Sequence, residues 1–526
     1  MLRGSRWLLM MLVALAGCPG GGGGIGDSCG GNDDCDGTLQ CLNSRCVPRC
    51  RRAPECGDGF SCDDRGLCQP ASGQAGEPCE SEVDCAAGLS CQIDGAETDS
   101  NNRLLSHCAA ENSTHPAGAA CDANQDCRNG TCALGHCVDL CRESRDCAAG
   151  TSCVNIPSEL AGNALFAGCL PTQGVLTWSI PVASPAAQIL LPVPDVARSA
   201  ELVMSIADLG QKVGASSVLS PAGLRIYNLP CAPSASPCEP DRALDEFFDN
   251  EVRHLPDFGQ SVLAMPSNPE KPLRAGIYRV EVSSFQADAT PGSAIPRVTA
   301  VVQLGSNGTL DLHFFFLALD DHPCVAMTDG ETLSAGTAQR AAFFQTAYLG
   351  ELSRMIANAG LSLGELTYET ITDHPELDGL DLSAAGALFA LGRFPTGINV
   401  FFVRSLSPAG VQAFGPNPGP AGLGGTRQSG IVISLDTLCY RDWPAMARLT
   451  AHELARYMGL YHNVELETPQ HPTWRDPLGD SDDSSNNLMY FSERFDPSTG
   501  AGIRLSAGSE LSPEQRQILT RSAVLR

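Results

Sequence analysis

A chain of 526 residues is too long for one hydrophobic core, which rarely grows past about 250–300 residues, so several domains are expected. The formal net charge of −26 excludes nucleic acid and anionic lipid surfaces as principal partners, and a hydrophobic content of 43% excludes disorder along the whole length. Twenty-five cysteines point to a compartment in which disulfides form.

Export is written at the N-terminus. Arg3 and Arg6 supply a positive region, Trp7 to Ala16 an apolar one, and Leu15-Ala16-Gly17-Cys18 closes it with small residues. That ending resembles the lipobox of bacterial lipoproteins, which implies cleavage before Cys18 and acylation of its thiol. Pro19 stands where an Asp would imply retention at the inner membrane, so the expected location is the outer membrane or cell surface. No other segment is long and apolar enough to span a bilayer, and the lipid anchor is the only membrane contact expected. Residues 1–18 are read as the signal and 19–28 as a Gly-rich tether.

From Cys29 the cysteines fall into five groups of four, beginning with Cys29, Cys35, Cys41, Cys46 and ending with Cys141, Cys147, Cys153, Cys169. Most begin C-x5-C-x5-C, with an acid before the second cysteine: Asp34, Glu55, Asp84, Asp126 and Asp146. Units this small cannot bury a useful core, so two disulfides each are expected, and spacing leaves three pairings open. Zinc sites favour closer cysteine pairs, which argues against metal here. The spacing resembles the Dickkopf-N-terminal-like or EGF-like repeats of bacterial surface proteins. Residues 29–171 are read as this repeat region, a rigid stalk in preference to a protein-binding array.

Residues 172–306 become strand-like. Val175–Pro181, Ala200–Ile206, Leu224–Leu229, Ile277–Ser284 and Arg297–Leu304 are short β-rich runs parted by Pro, Gly and Asp. Tyr278, Val280 and Val282 alternate as one face of a half-buried strand. A sandwich of seven to nine strands is expected. Its S-P-x-G-L-x-I-Y and P-L-x-A-G-x-Y-x-V-x-V patterns resemble the jelly-roll domains that accompany secreted bacterial proteases. Cys231 and Cys238 are expected to staple one loop.

Residues 307–526 alternate strand and helix. Leu310–Leu319 reads as a buried strand and Thr337–Asn358 as a helix burying Phe344, Tyr348, Leu352, Met355 and Ile356, ended by Gly360. Strands follow at Leu366–Ile371, Ile398–Val403 and Gly430–Leu435, the last as an edge, and then a helix through His452. Ser512-Pro513-Glu514-Gln515 opens a final helix with a capping box. Cys324 and Cys439 remain to pair.

The chemistry sits in His452-Glu453-Leu454-Ala455-Arg456-Tyr457-Met458-Gly459-Leu460-Tyr461-His462. Positions 452 and 456 share a helix face, and Glu453 projects beside them, where a carboxylate takes a proton from metal-bound water. Gly459 can turn the chain so that His462 returns to the site. Asn486-Asn487-Leu488-Met489-Tyr490 follows.

These residues resemble the H-E-x-x-H-x-x-G-x-x-H signature and Met-turn of the metzincin zinc proteases, most closely the pappalysin-like branch. The resemblance covers about 200 residues and implies an α+β domain, with His452 and His462 as zinc ligands, Glu453 as general base and Met489 beneath the site. Arg456 departs from it, because a guanidinium offers no lone pair to a metal. Tyr490 directly after Met489, and Arg448 beside Arg456 on the helix, depart as well.

The chain is therefore expected to be multidomain: disulfide-rich repeats, an all-β jelly-roll-like sandwich and a metzincin-like domain with zinc catalysis lost. Arg456 is expected to pair with Glu453 in place of the ion. The expected role is binding of an extracellular protein or peptide by strand addition. A working endopeptidase with a substitute ligand from His471, Asp476 or Asp480 is the first alternative, and a structural protein acting through its repeats the second. The loop bearing Asp476, Asp480, Asp482 and Asp483 offers calcium ligands, with solvated surface acid the favoured account.

Overall fold

The computed structural model describes residues 27–526 except for 38, 43, 57–59, 64–65, 114, 159–163, 230–250, 318–323, 409, 422, 466–473, 481–483, 491–492, 497–500 and 505–507. The signal, Cys18, Cys231, Cys238, His471, Asp482 and Asp483 lie outside the described residues. The chain is multidomain, with disulfide-rich repeats followed by a largely β-sheet body with few helices and no closed barrel. No described helix is long and apolar enough to cross a membrane.

In all five cysteine units the first cysteine pairs with the third and the second with the fourth. The third and fourth face each other across a hairpin, as Cys41 faces Cys46 and Cys153 faces Cys169. Each reaches back to a different cysteine of the preceding loop, so two bridges clamp that loop onto the hairpin. The recurring acid has a local job. Asp34 Oδ2 accepts from the N–H groups of Gly30 and Gly31, at 2.7 and 3.0 Å, and Asp84 and Asp126 repeat the contact in their own units. So many disulfides belong to an oxidising, extracytoplasmic setting.

The units differ in what they rest on. The first has its own small core of Cys29, Cys35, Leu39 and Cys46. The third to fifth pool Leu104, Leu134, Leu140, Ile156 and Phe166 into one core with Leu176, Leu191, Leu202 and Val280 of the next domain. That continuity, with Ala53 N–H of the second unit bonded to Arg145 O of the fifth and Arg52 to Ala148 O, narrows the idea of a stalk standing apart from the body to the first unit.

Among its described residues the second domain has ten strands: β1 (Gly174–Ile180), β2 (Ala186–Val193), β3 (Ser199–Ser205), β4 (Lys212–Leu219), β5 (Arg225–Asn228), β6 (Arg253–His254), β7 (Asp257–Phe258), β8 (Gln260–Met265), β9 (Gly276–Phe285) and β10 (Arg297–Gly305). One sheet runs β1-β10-β3-β8-β6, and the other runs β2-β9-β4-β5 with β7 beside β4. Successive strands mostly alternate between sheets, and the two inner faces share one core. The count exceeds the seven to nine expected because β6 and β7 have two residues each, too short to show a period.

The C-terminal sheet holds β11 (Thr309–Leu317), β12 (Ser362–Ile371), β13 (Ile398–Val403), β14 (Ala413–Phe414) and β15 (Ile431–Ser434) in the order β12-β11-β13-β15-β14. All pair in parallel except β14. Parallel strands are covered on both faces. Phe314, Phe316 and Phe402 pack under the helices, while Phe315, Phe401 and Val432 pack on the other side. The segment 430–435 is thus interior, flanked by β13 and β14, and the edge belongs to β14. The helix expected over 337–358 is broken. α1 (Ala335–Arg340) stops at Ala341, whose ψ of 134° is extended, and a wide turn over Phe343–Tyr348 leads into α2 (Leu349–Asn358). Its expected apolar face is nonetheless buried. Then come α3 (Ala385–Phe389), α4 (Trp443–Tyr457) and α5 (Pro513–Thr520). Ser512 and Gln515 exchange the two hydrogen bonds of a capping box at 3.0 and 3.2 Å. Cys324 and Cys439 are bonded, tying the segment after β11 to the start of α4.

Candidate functional site

α4 is set by its ends. Asp442 caps it, accepting from Ala445 N–H at 2.9 Å, and Pro444 occupies the first turn, where no donor is missed. At the other end Leu460 N–H bonds Ala455 O and Gly459 N–H bonds Arg456 O, both at 3.0 Å. This paired closure requires positive φ at Gly459, which is +107°. The chain reverses there and brings His462 back over the helix.

His452 and His462, both buried, then stand with their Nε2 atoms 3.2 Å apart. That separation is the length of a direct hydrogen bond between the two rings, and it is also close to the roughly 3.3 Å between two nitrogens on one tetrahedral zinc at about 2.0–2.1 Å. His452 Nδ1 donates to Leu488 O at 2.7 Å, which directs the Nε2 lone pair at the site. Leu488 belongs to a tight turn in which Tyr490 N–H bonds Asn487 O at 3.1 Å and Met489 N–H bonds Asn487 Oδ1 at 2.8 Å. Met489 is fully buried below it.

Arg456 reaches over His462, with Nη1 at 2.8 Å from Nδ1 and 2.5 Å from Nε2. The guanidinium therefore lies against both ring nitrogens of His462, the one beside His452 included. Among the described residues, the groups of three potential ligand atoms close enough to share an ion consist of cysteines already in disulfides. Among the described residues the site offers the nitrogens of His452 and His462, whereas a catalytic zinc takes three protein ligands and a water. Asp476 accepts from Leu478 N–H and from Gln515, and Asp480 accepts from Glu514 N–H in the first turn of α5. Arg448 points away from the site, to Glu351 on α2 at 2.8 Å, so it does not oppose a cation there.

Glu453 is buried, which pushes its carboxyl up to about 7, while the Arg456 charge pulls the other way. A Cβ placed on Gly415, just past β14, would lie 3.7 Å from Glu453 Oε2, so this acid borders the sheet edge. Gly419 has no room for a side chain against the ring of Tyr457, whose hydroxyl donates to Pro420 O at 2.7 Å.

Three residues that join the sandwich to the C-terminal domain escaped sequence reading because their roles cross between the two. Glu201 of β3 is buried and accepts from Ala421 N–H at 3.0 Å, and burial pushes it up to about 8. Arg253 of β6, also buried, lies with its guanidinium carbon 3.5 Å from the ring centre of Tyr461. Gln260 of β8 bonds the backbone of Arg427 and the hydroxyl of Thr426. An acid inside the apolar run Ala200–Met204 was the one available signal.

The structure defines a class: a disulfide-rich multidomain chain whose body carries a two-histidine, one-arginine cluster at the end of a helix, α4. Compared with known proteins, the chain matches no family model and no curated protein.

Proposed function

We propose that residues 307–526 are a metzincin-like domain of the pappalysin-like branch, in which Arg456 has replaced the metal. The chain would then be a cell-surface lipoprotein that binds an extended protein segment without cutting it. The observation that carries this reading is the 2.5 Å contact between Arg456 Nη1 and His462 Nε2, a fixed cation on the nitrogen a zinc ion would use. The order of elements supports it too: strand, helices, strands, motif helix, turn at Met489 and terminal helix. Binding would use the edge of β14, where a segment pairing by strand addition runs beside Glu453.

Elemental analysis of the purified chain tests the reading. Wild type should carry substoichiometric zinc and leave casein intact, and Arg456→His should gain zinc. Full zinc occupancy in wild type would overturn it. That outcome would favour the second reading, a working endopeptidase with a substitute third ligand, for which the 3.2 Å separation of the two Nε2 atoms speaks.

A further inference from the structure

Three prolines stiffen the segment that leaves the β14 edge. In Gly415-Pro416-Asn417-Pro418-Gly419-Pro420-Ala421 every second residue after Gly415 lacks an N–H, so only Asn417, Gly419 and Ala421 can donate. Two of these amides are engaged, each by a different element. Gly419 N–H bonds Tyr457 O, at the end of α4, at 3.0 Å. Ala421 N–H bonds Glu201 Oε2, on β3 of the sandwich, at 3.0 Å. Tyr457 also lies with its ring against Gly419 and its hydroxyl on Pro420 O. The segment is thus a strap with two polar fastenings on its own backbone amides, and one of them belongs to the other domain.

Glu201 shares its sheet face with a second contact to the site. Its register partner on β8 is Ala264, and Ala264 is also the partner of Arg253 on β6. Directly paired residues point to the same face, and two strand spacings put Glu201 and Arg253 roughly 10 Å apart. At one end of this row Glu201 holds the strap. At the other, the guanidinium of Arg253 lies over Tyr461, the residue before His462. One row of the sandwich therefore touches both the chain leaving β14 and the chain returning from Gly459.

We infer that Glu201 is a positioning residue for the β14 edge, fixing through Ala421 where Gly415 and β14 stand relative to Glu453, so that the sandwich forms part of the binding site. This rests on the reading of β14 as the edge that binds. A buried acid with one hydrogen bond is a costly occupant of the apolar run Ala200–Met204, and fastening the strap is what an apolar side chain there could not do. Burial pushes the carboxyl up to about 8, so at neutral pH it is an uncharged acceptor, which Gln imitates.

Amide hydrogen exchange of the full chain at pH 7, followed by mass spectrometry, tests the inference. Glu201→Leu fills the same space and removes the acceptor. Exchange in 411–415 should rise several-fold, while peptides from β9 and α2 keep their wild-type rates. Glu201→Gln should restore slow exchange in 411–415. A rise confined to Ala421 would overturn the inference, because the contact would then be purely local. So would an equal rise throughout the chain, or exchange in the Gln variant as fast as in the Leu variant. The zinc content that tests the parent reading enters none of these measurements, so either can fail while the other stands.

Discussion

The guanidinium of Arg253, on the sandwich, lies over the ring of Tyr461 at 3.5 Å, and Tyr461 immediately precedes His462. The two domains therefore meet at the residue that positions the returning histidine. Desolvated contacts of this kind are worth about 2 kcal/mol or more. Arg253→Ala should lower the unfolding free energy of the full chain by at least that amount in urea titration, and it should shift the His462 imidazole resonances. An unchanged midpoint would mean that the contact contributes nothing.

Glu201 makes folding dependent on pH. Its ordinary value is 4.5 and its folded value about 8, so the stability it contributes is complete below 4.5 and is lost as pH rises through 8. The loss is on the order of 5 kcal/mol. Glu201→Gln keeps an acceptor for Ala421 N–H and cannot ionise. Thermal unfolding between pH 5 and 9 should fall more steeply in wild type than in this variant; parallel curves would count against a neutral Glu201.

Gly459→Ala isolates the cost of the turn. A Cβ there would meet only Ile518, at 3.8 Å, so there is room and the penalty is conformational. A positive φ in a residue with a Cβ costs about 1–2 kcal/mol. Urea unfolding should show a loss of that size, and Arg456→His in this background should take up less zinc than Arg456→His alone.

Disulfides should contribute according to the chain they close. Cys324 and Cys439 enclose 115 residues, while Cys127 and Cys137 enclose 10. Loop-closure entropy gives about 5 kcal/mol for the first and about 3 for the second. Double serine variants of each pair, compared by denaturant unfolding, should rank in that order.

Much of this architecture was legible in local pattern. The cysteine spacing announced the units because the bridge from first to third cysteine spans 11 or 12 residues in every one. The acids at Asp34, Asp84 and Asp126 were visible, although their use as backbone acceptors was not. Ser512 and Gln515 announced α5 because a capping box is written within four residues. The break at Ala341 was hidden, since the apolar spacing from Phe344 to Ile356 continues an ideal helix face straight through it. β4 was missed because Gly214 and its serines carry no strand period; glycine is there for the close approach of His254 and Pro256. At the site, the spacing of His452, Arg456 and His462 was plain, while the partner of Arg456 depended on where Gly459 sent the chain.

A β-sandwich ordinarily folds without regard to the redox state around it. Here Leu134, Ile156 and Phe166, held in place by disulfide-clamped hairpins, complete one flank of the sandwich interior. Reduction of those hairpins would strip that flank and expose Leu176, Leu191 and their neighbours. The sandwich thus inherits an oxidation requirement from cysteines it does not itself carry, and its maturation is bound to the compartment where those bridges close.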